Sequence, residues 1–171
     1  MIFVRFLLAL AAAYLAQLLG LALTPHFPRF VTPFLVVAVW FAMRSSPVLA
    51  QLLGAATGLV EDSLTGGLFG LHAFADTLAA YGVALAAQRV VVGQQAVRVL
   101  LFAGAAALQQ VVVVLLLVAM LDEPPLPSFW FVVLKVVTTA LLGAVLISTE
   151  SRARTQWGAW QRRRSRQLRF R

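Results

Sequence analysis

His72 and Asp76 stand one helical turn apart, and a short distance upstream lies the adjacent acid pair Glu61 and Asp62. Side chains of these types could ligate a metal or serve as general acid and base. Their spacing argues against both. There is no His-Glu-x-x-His, no Gly-x-Ser-x-Gly and no pair of metal-spaced histidines, since the second histidine, His26, falls in a separate proline-bounded loop. Ser63 has no base at a recognisable spacing, so a serine-based intramembrane hydrolase finds no support. No catalytic residue, metal site or cofactor is assigned. These polar residues belong to segment 54–82, which also holds six of the chain's eleven glycines.

The elements that must position them are apolar. The chain has 171 residues, 61% of them hydrophobic and only 12% charged, whereas soluble domains carry about 25% charged residues. An all-α integral membrane protein is therefore expected. It has no cysteine, which excludes disulfides and thiolate metal sites.

Ile2–Leu23 is interrupted only by Arg5 and Gln17 and, as a helix, reaches roughly 33 Å, enough to cross a hydrocarbon core of about 30 Å. It lacks a polar cleavage region, so a retained helix is expected rather than a signal peptide. Ala9, Ala12, Ala13 and Ala16 give it a face of small residues on which another helix can pack closely. After a loop containing Pro25 and Pro28, segments 30–43 and 47–60 are short for full spans, each roughly 21 Å, and could instead form a re-entrant hairpin. Segments 68–87, 97–121 and 129–148 complete a count of six transmembrane helices, the last two joined by an acidic, proline-rich turn at 122–127. An even count returns the chain to its starting side. Placing that side in the cytoplasm puts Arg5, Arg44, Arg89, Arg98 and the tail arginines inside, as the positive-inside rule requires.

Residues 1–150 thus form one transmembrane domain, and 151–171 a tail of different character. The tail carries Arg152, Arg154, Arg162, Arg163, Arg164, Arg166, Arg169 and Arg171 with no acid, interleaved with Trp157, Trp160, Leu168 and Phe170. It is expected to form a basic amphipathic helix on anionic lipid of the inner leaflet or on an acidic cytoplasmic partner. Nucleic acid is not expected as a partner, because a tail tethered to a bilayer meets anionic lipid first.

Within 54–82, Gly54 and Gly58 form a GxxxG element, and one further turn brings Asp62 onto the same face. With Gly66, Gly67 and Gly70 it predicts two closely packed helices joined by a tight turn. Glu61 and Asp62 are expected as a solvated interfacial pair at the outer end of the third span, with Asp62 placed to cap the next helix. His72 and Asp76 fall inside the fourth span, and Lys135 lies at matching depth in the sixth. An ionisable group at that depth costs several kcal/mol unless paired, about 3 kcal/mol on insertion scales. The three are therefore expected to form an internal clasp, with Asp76 and Lys135 neutralising each other directly or through water. Gln109 and Gln110 are expected to hydrogen-bond between helices.

The stretch GLVEDSLTGGLFGLHAF, with Gly58, Asp62, Gly66 or Gly67, and Gly70 in a six-span chain, resembles the rod shape-determining MreD family of bacterial cell-wall elongation. The resemblance implies a non-enzymatic scaffold associated with the periplasmic coiled-coil protein MreC. The same complex includes MreB filaments, the glycosyltransferase RodA and a penicillin-binding transpeptidase. It also implies a bundle similar to the substrate-binding S-components of energy-coupling-factor vitamin transporters, which defines the alternative function. In that case a ligand pocket open to the outside would be expected near His72, Asp76, Lys135 and Trp130.

Overall fold

A computed structural model describes residues 2–24, 27–66, 68–90, 94–124 and 127–167, and side chains within these outside 28, 29 and 151–167. The described residues form seven helices: α1 (Ile2–Leu23), α2 (Phe27–Phe30), α3 (Pro33–Ala42), α4 (Pro47–Thr65), α5 (Leu71–Arg89), α6 (Gln95–Met120) and α7 (Phe129–Gln167). The protein is all-helical, and α1, α6 and the 129–150 part of α7 are long and apolar enough to cross a membrane.

Helix α3 starts later than the hydropathy of 30–43 predicts. Pro33 sits at its first turn, and the residue before a proline is driven out of the helical region. Thr32 accordingly has φ −120° and ψ 81°, which separates α3 from the single turn of α2. Helix α4, in contrast, does not stop at residue 60. It runs on through the acid pair to Thr65, because both carboxylates find buried surroundings, and ends at Gly66 in the left-handed conformation with φ 64°. Gly70, at φ 95°, then turns the chain into α5. An added Cβ at either of these two positions is disfavoured by about 1–2 kcal/mol. Gly67 lies outside the described residues.

Helices α4 and α5 form the central pair. Their contact is backbone to backbone: a Cβ added at Gly54 would stand 2.5 Å from the Asp76 carbonyl oxygen, and one at Gly58 would stand 2.4 Å from the Ala73 Cα. Around this hairpin lies an apolar core of Leu35, Val36 and Val39 from α3, Ala79, Ala80 and Val83 from α5, Phe102 and Ala106 from α6, and Ile147 from α7. Helix α1 stands at the periphery, burying only Phe6, Ala13, Gln17 and Gly20.

Two sets of contacts fix the ends of the bundle. At one end the Arg44 guanidinium Nη2 donates to both Glu150 carboxylate oxygens, at 2.6 and 2.7 Å, and Arg98 approaches the same carboxylate at 3.6 Å. Nearer the other end the α2/α3 break is stitched to α7. The Thr138 hydroxyl donates to the Phe30 carbonyl, and the Thr32 and Thr139 hydroxyls meet at 3.2 Å. Residues left without helical partners by Pro33 are thus held by two threonines of another helix. Helix α7 continues beyond 148 without a break to Gln167, across the boundary expected between bundle and tail. The tail side chains from Arg152 to Arg166 lie outside the description, as does everything about Leu168, Arg169, Phe170 and Arg171.

Candidate functional site

The polar residues singled out in the sequence do converge: Asp62 caps the next helix as expected, whereas His72, Asp76 and Lys135 pair otherwise than expected. The Asp62 carboxylate is turned onto the start of α5. One oxygen accepts from the Gly70 and Ala73 backbone N–H groups at 2.9 and 3.1 Å; the other accepts from the His72 N–H at 3.1 Å and contacts His72 Nδ1 at 2.8 Å. The first N–H groups of any helix lack internal partners and carry its positive dipole end, so an anion there is doubly favoured. A residue of α4 therefore caps α5, and does so without being a neighbour in sequence. The expectation of a solvated acid pair is corrected: Glu61 and Asp62 are 3% and 4% exposed. For Asp62 the helix end supplies the hydrogen bonds that water would otherwise have provided.

His72 belongs to this arrangement, not to a clasp with Asp76. Its Nδ1 faces Asp62, and its Nε2 stands 3.8 Å from a Glu61 oxygen, so the imidazole lies between the two acids. Asp76, one turn further along α5 and fully buried, instead accepts from Gln109 Nε2 of α6 at 2.6 Å. The expectation of an interhelical role for Gln109 thus has a specific partner. Among the described residues, the second Asp76 oxygen, the second Glu61 oxygen and the Gln109 carbonyl oxygen have no hydrogen-bond partner.

Lys135 is buried in α7, as its depth predicts. Its ammonium lies in the field of Glu61 and, second, Asp76. No carboxylate among the described residues comes within 4.0 Å of it, so the direct Asp76–Lys135 ion pair is absent. Its backbone carbonyl accepts from both Thr138 and Thr139, at 3.0 and 2.7 Å, which ties the lysine's turn to the α2/α3 break. Lys135, Thr138 and Thr139 share one helical face by their spacing, from which threonine hydrogen bonds across helices are expected, and both threonines make them, to Phe30 and Thr32.

Removing one charge from such a buried set leaves the others uncompensated, at a cost of about 3–5 kcal/mol. Lys135→Met is expected to destabilise the protein by about 3 kcal/mol. Adding Glu61→Gln or Asp76→Asn should each recover part of that loss, because both carboxylates act on the lysine. Unfolding midpoints in detergent of these variants and of Glu61→Gln and Asp76→Asn alone, compared as two double-mutant cycles, measure each coupling.

The Ser63 hydroxyl donates to the Val60 carbonyl at 2.7 Å and faces solvent rather than a base. Among the described residues no group of three His, Asp or Glu side chains has a geometry that could hold a metal ion. What the arrangement does chemically is fasten three helices: Asp62 and His72 join α4 to α5, and Asp76 with Gln109 joins α5 to α6. The Arg44–Glu150–Arg98 group escaped sequence reasoning because Glu150 stands at the margin of the last apolar segment. Its signal was the lone acid among the arginines expected at that end. Compared with known proteins, the chain matches no family model, no curated sequence and no solved structure.

Proposed function

We propose that this protein is a non-enzymatic membrane scaffold that acts through contacts with other membrane proteins. The reading follows the resemblance of its 54–82 stretch to the MreD family of the cell-wall elongation complex. The observation that carries it is the use made of Gly54, Gly58, Asp62 and Gly70. All four are spent on pressing α4 against α5 and capping α5, which leaves a rigid bundle with a largely uncovered α1. On this reading the helices cross the bacterial cytoplasmic membrane six times, with the shorter α3 completed by α2. Arg5, Arg44, Arg89 and Arg98, together with the basic tail, face the cytoplasm, and Asp122 and Glu123 lie outside. The partners are an MreC-type coiled-coil protein and, through it, MreB filaments, RodA and a transpeptidase. The tail arginines, with Trp157 and Trp160, lie against the inner leaflet.

The test is co-purification of the full chain from a membrane extract with a single-span, periplasmic coiled-coil protein, alongside a screen for vitamin binding. Stoichiometric recovery of the partner with no saturable ligand binding supports the scaffold. Tight binding of a vitamin-sized ligand without that partner overturns it in favour of a transporter S-component. The position of Trp130 weighs against the latter, since its side chain is 76% exposed instead of lining a pocket with Asp76 and Lys135.

A further inference from the structure

A groove of about 950 Å³ runs between α1, α3 and α7, and no residue of the Glu61–Lys135 cluster lines it. Its floor is smooth, formed on α1 by Ala9, Ala12 and Ala16, and its other walls are apolar. Only its mouth is charged: Arg5 and Arg44 both line it. The Arg44 guanidinium sits over the Trp40 ring, 4.6 Å from its centroid, and Trp40 also lines the groove. Arg5 is exposed, and among the described residues no carboxylate lies within 4.0 Å of it. Glu150 binds Arg44 but is itself shared with Arg98, so positive charge at this end exceeds negative.

We propose that this groove binds one anionic phospholipid, its acyl chains along the alanine face of α1 and its phosphate at Arg5 and Arg44. The inference needs the protein to reside in a membrane and takes Arg5 and Arg44 to face the cytoplasm, as proposed above; it does not rest on the scaffold reading. Three features select the occupant. The charge is confined to one end of an otherwise apolar slot, which matches an amphiphile with a single anionic head. Arginine presents a planar set of donors suited to phosphate oxygens, and basic pockets between membrane helices on the cytoplasmic side take anionic headgroups. A tryptophan held beside an arginine at the mouth is also the usual marker of headgroup level.

Trp40 provides the probe. In the full chain carrying Trp130→Phe, Trp157→Phe and Trp160→Phe, it is the sole remaining tryptophan, so quenching by brominated lipid reports on the groove and not on the tail. Reconstituted with brominated phosphatidylglycerol or brominated phosphatidylcholine in unlabelled vesicles, it is expected to favour the anionic lipid by on the order of 30-fold, about fivefold for each arginine. Arg5→Gln, at an exposed position without an acidic partner, should lower that preference about fivefold. Ala12→Phe should block quenching by both lipids. The proposal is overturned by equal quenching in the parent protein, by quenching from neither lipid, or by an anionic preference that survives Arg5→Gln unchanged. Should Ala12→Phe fail to fold, the Arg5→Gln comparison decides alone.

Discussion

Replacing Gly58 by leucine is expected to leave no stably folded protein. The first atom of any side chain there would stand 2.4 Å from the Ala73 Cα and 2.5 Å from both the Ala73 nitrogen and the His72 carbonyl oxygen. None of these is the yielding end of a side chain. Relief therefore requires α4 and α5 to move apart, and the same separation would pull Asp62 away from the α5 N–H groups it caps. Overpacking a well-filled contact costs about 1–3 kcal/mol for small additions. A leucine adds four carbons at a backbone contact, so a loss of about 5 kcal/mol is expected, the size seen only for severe defects. Gly58→Ala should cost about 3 kcal/mol. Gly104→Ala is the matched control: a Cβ there meets nothing within 4 Å, and no loss is expected. Thermal unfolding in detergent, followed by circular dichroism, would rank the three. An undisturbed Gly58→Ala protein would show that the helices are not in backbone contact.

Asp62→Ala is the second large effect, expected at about 4 kcal/mol. It strips acceptors from three buried or part-buried backbone N–H groups at once, removes an anion from a helix start, and leaves the His72 ring without its 2.8 Å partner. Asp62→Asn separates these contributions. Its single oxygen can keep the Gly70 and Ala73 N–H groups, while its NH₂ group can face the His72 ring if the imidazole changes tautomer. Only the His72 backbone N–H is then lost, together with the charge, and about 2 kcal/mol is expected. Unfolding midpoints give the order wild type, Asn, Ala. Equal losses for Asn and Ala would instead mean that the negative charge, and not the count of acceptors, carries the interaction. Hydrogen exchange at the first turn of α5 should rise in both variants, and more in the alanine one.

The helical architecture was legible because it depends on hydropathy and on local chemistry. Pro47 behind Ser46 starts α4, and the Ser46 side chain accepts from the Leu49 N–H as a helix cap should. The close approach on the Gly54–Gly58 face followed from residue size alone. The pairings within the polar cluster were not legible, since they depend on helix rotation, which spacing does not determine. His72 and Asp76 share a helical face in projection, yet one turn of α5 is enough to bring the first against α4 and the second against α6. Depth matching correctly put Lys135 in the interior beside these acids, but depth says nothing about lateral distance, and the direct contact with Asp76 did not follow. The acid pair was misjudged for a related reason. Charge normally seeks water; a capping role for Asp62 could be read from its position, but only the three-dimensional arrangement shows the cap drawing that carboxylate out of solvent.

The central position of α4 and α5 has a consequence for how the chain enters a membrane. The helices that qualify by hydropathy as spans are α1, α6 and α7, all of them outside the hairpin; α4 and α5 do not qualify. A nascent α4 emerging alone would present Glu61 and Asp62 to lipid with no cap to serve. The charge is accommodated only when the first turn of α5 has been made. In the proposed six-crossing arrangement the pair must therefore partition as one unit. Insertion and tertiary folding of this hairpin are then a single event, and a substitution that weakens the Asp62 cap would show first as failed membrane integration rather than as a less stable product.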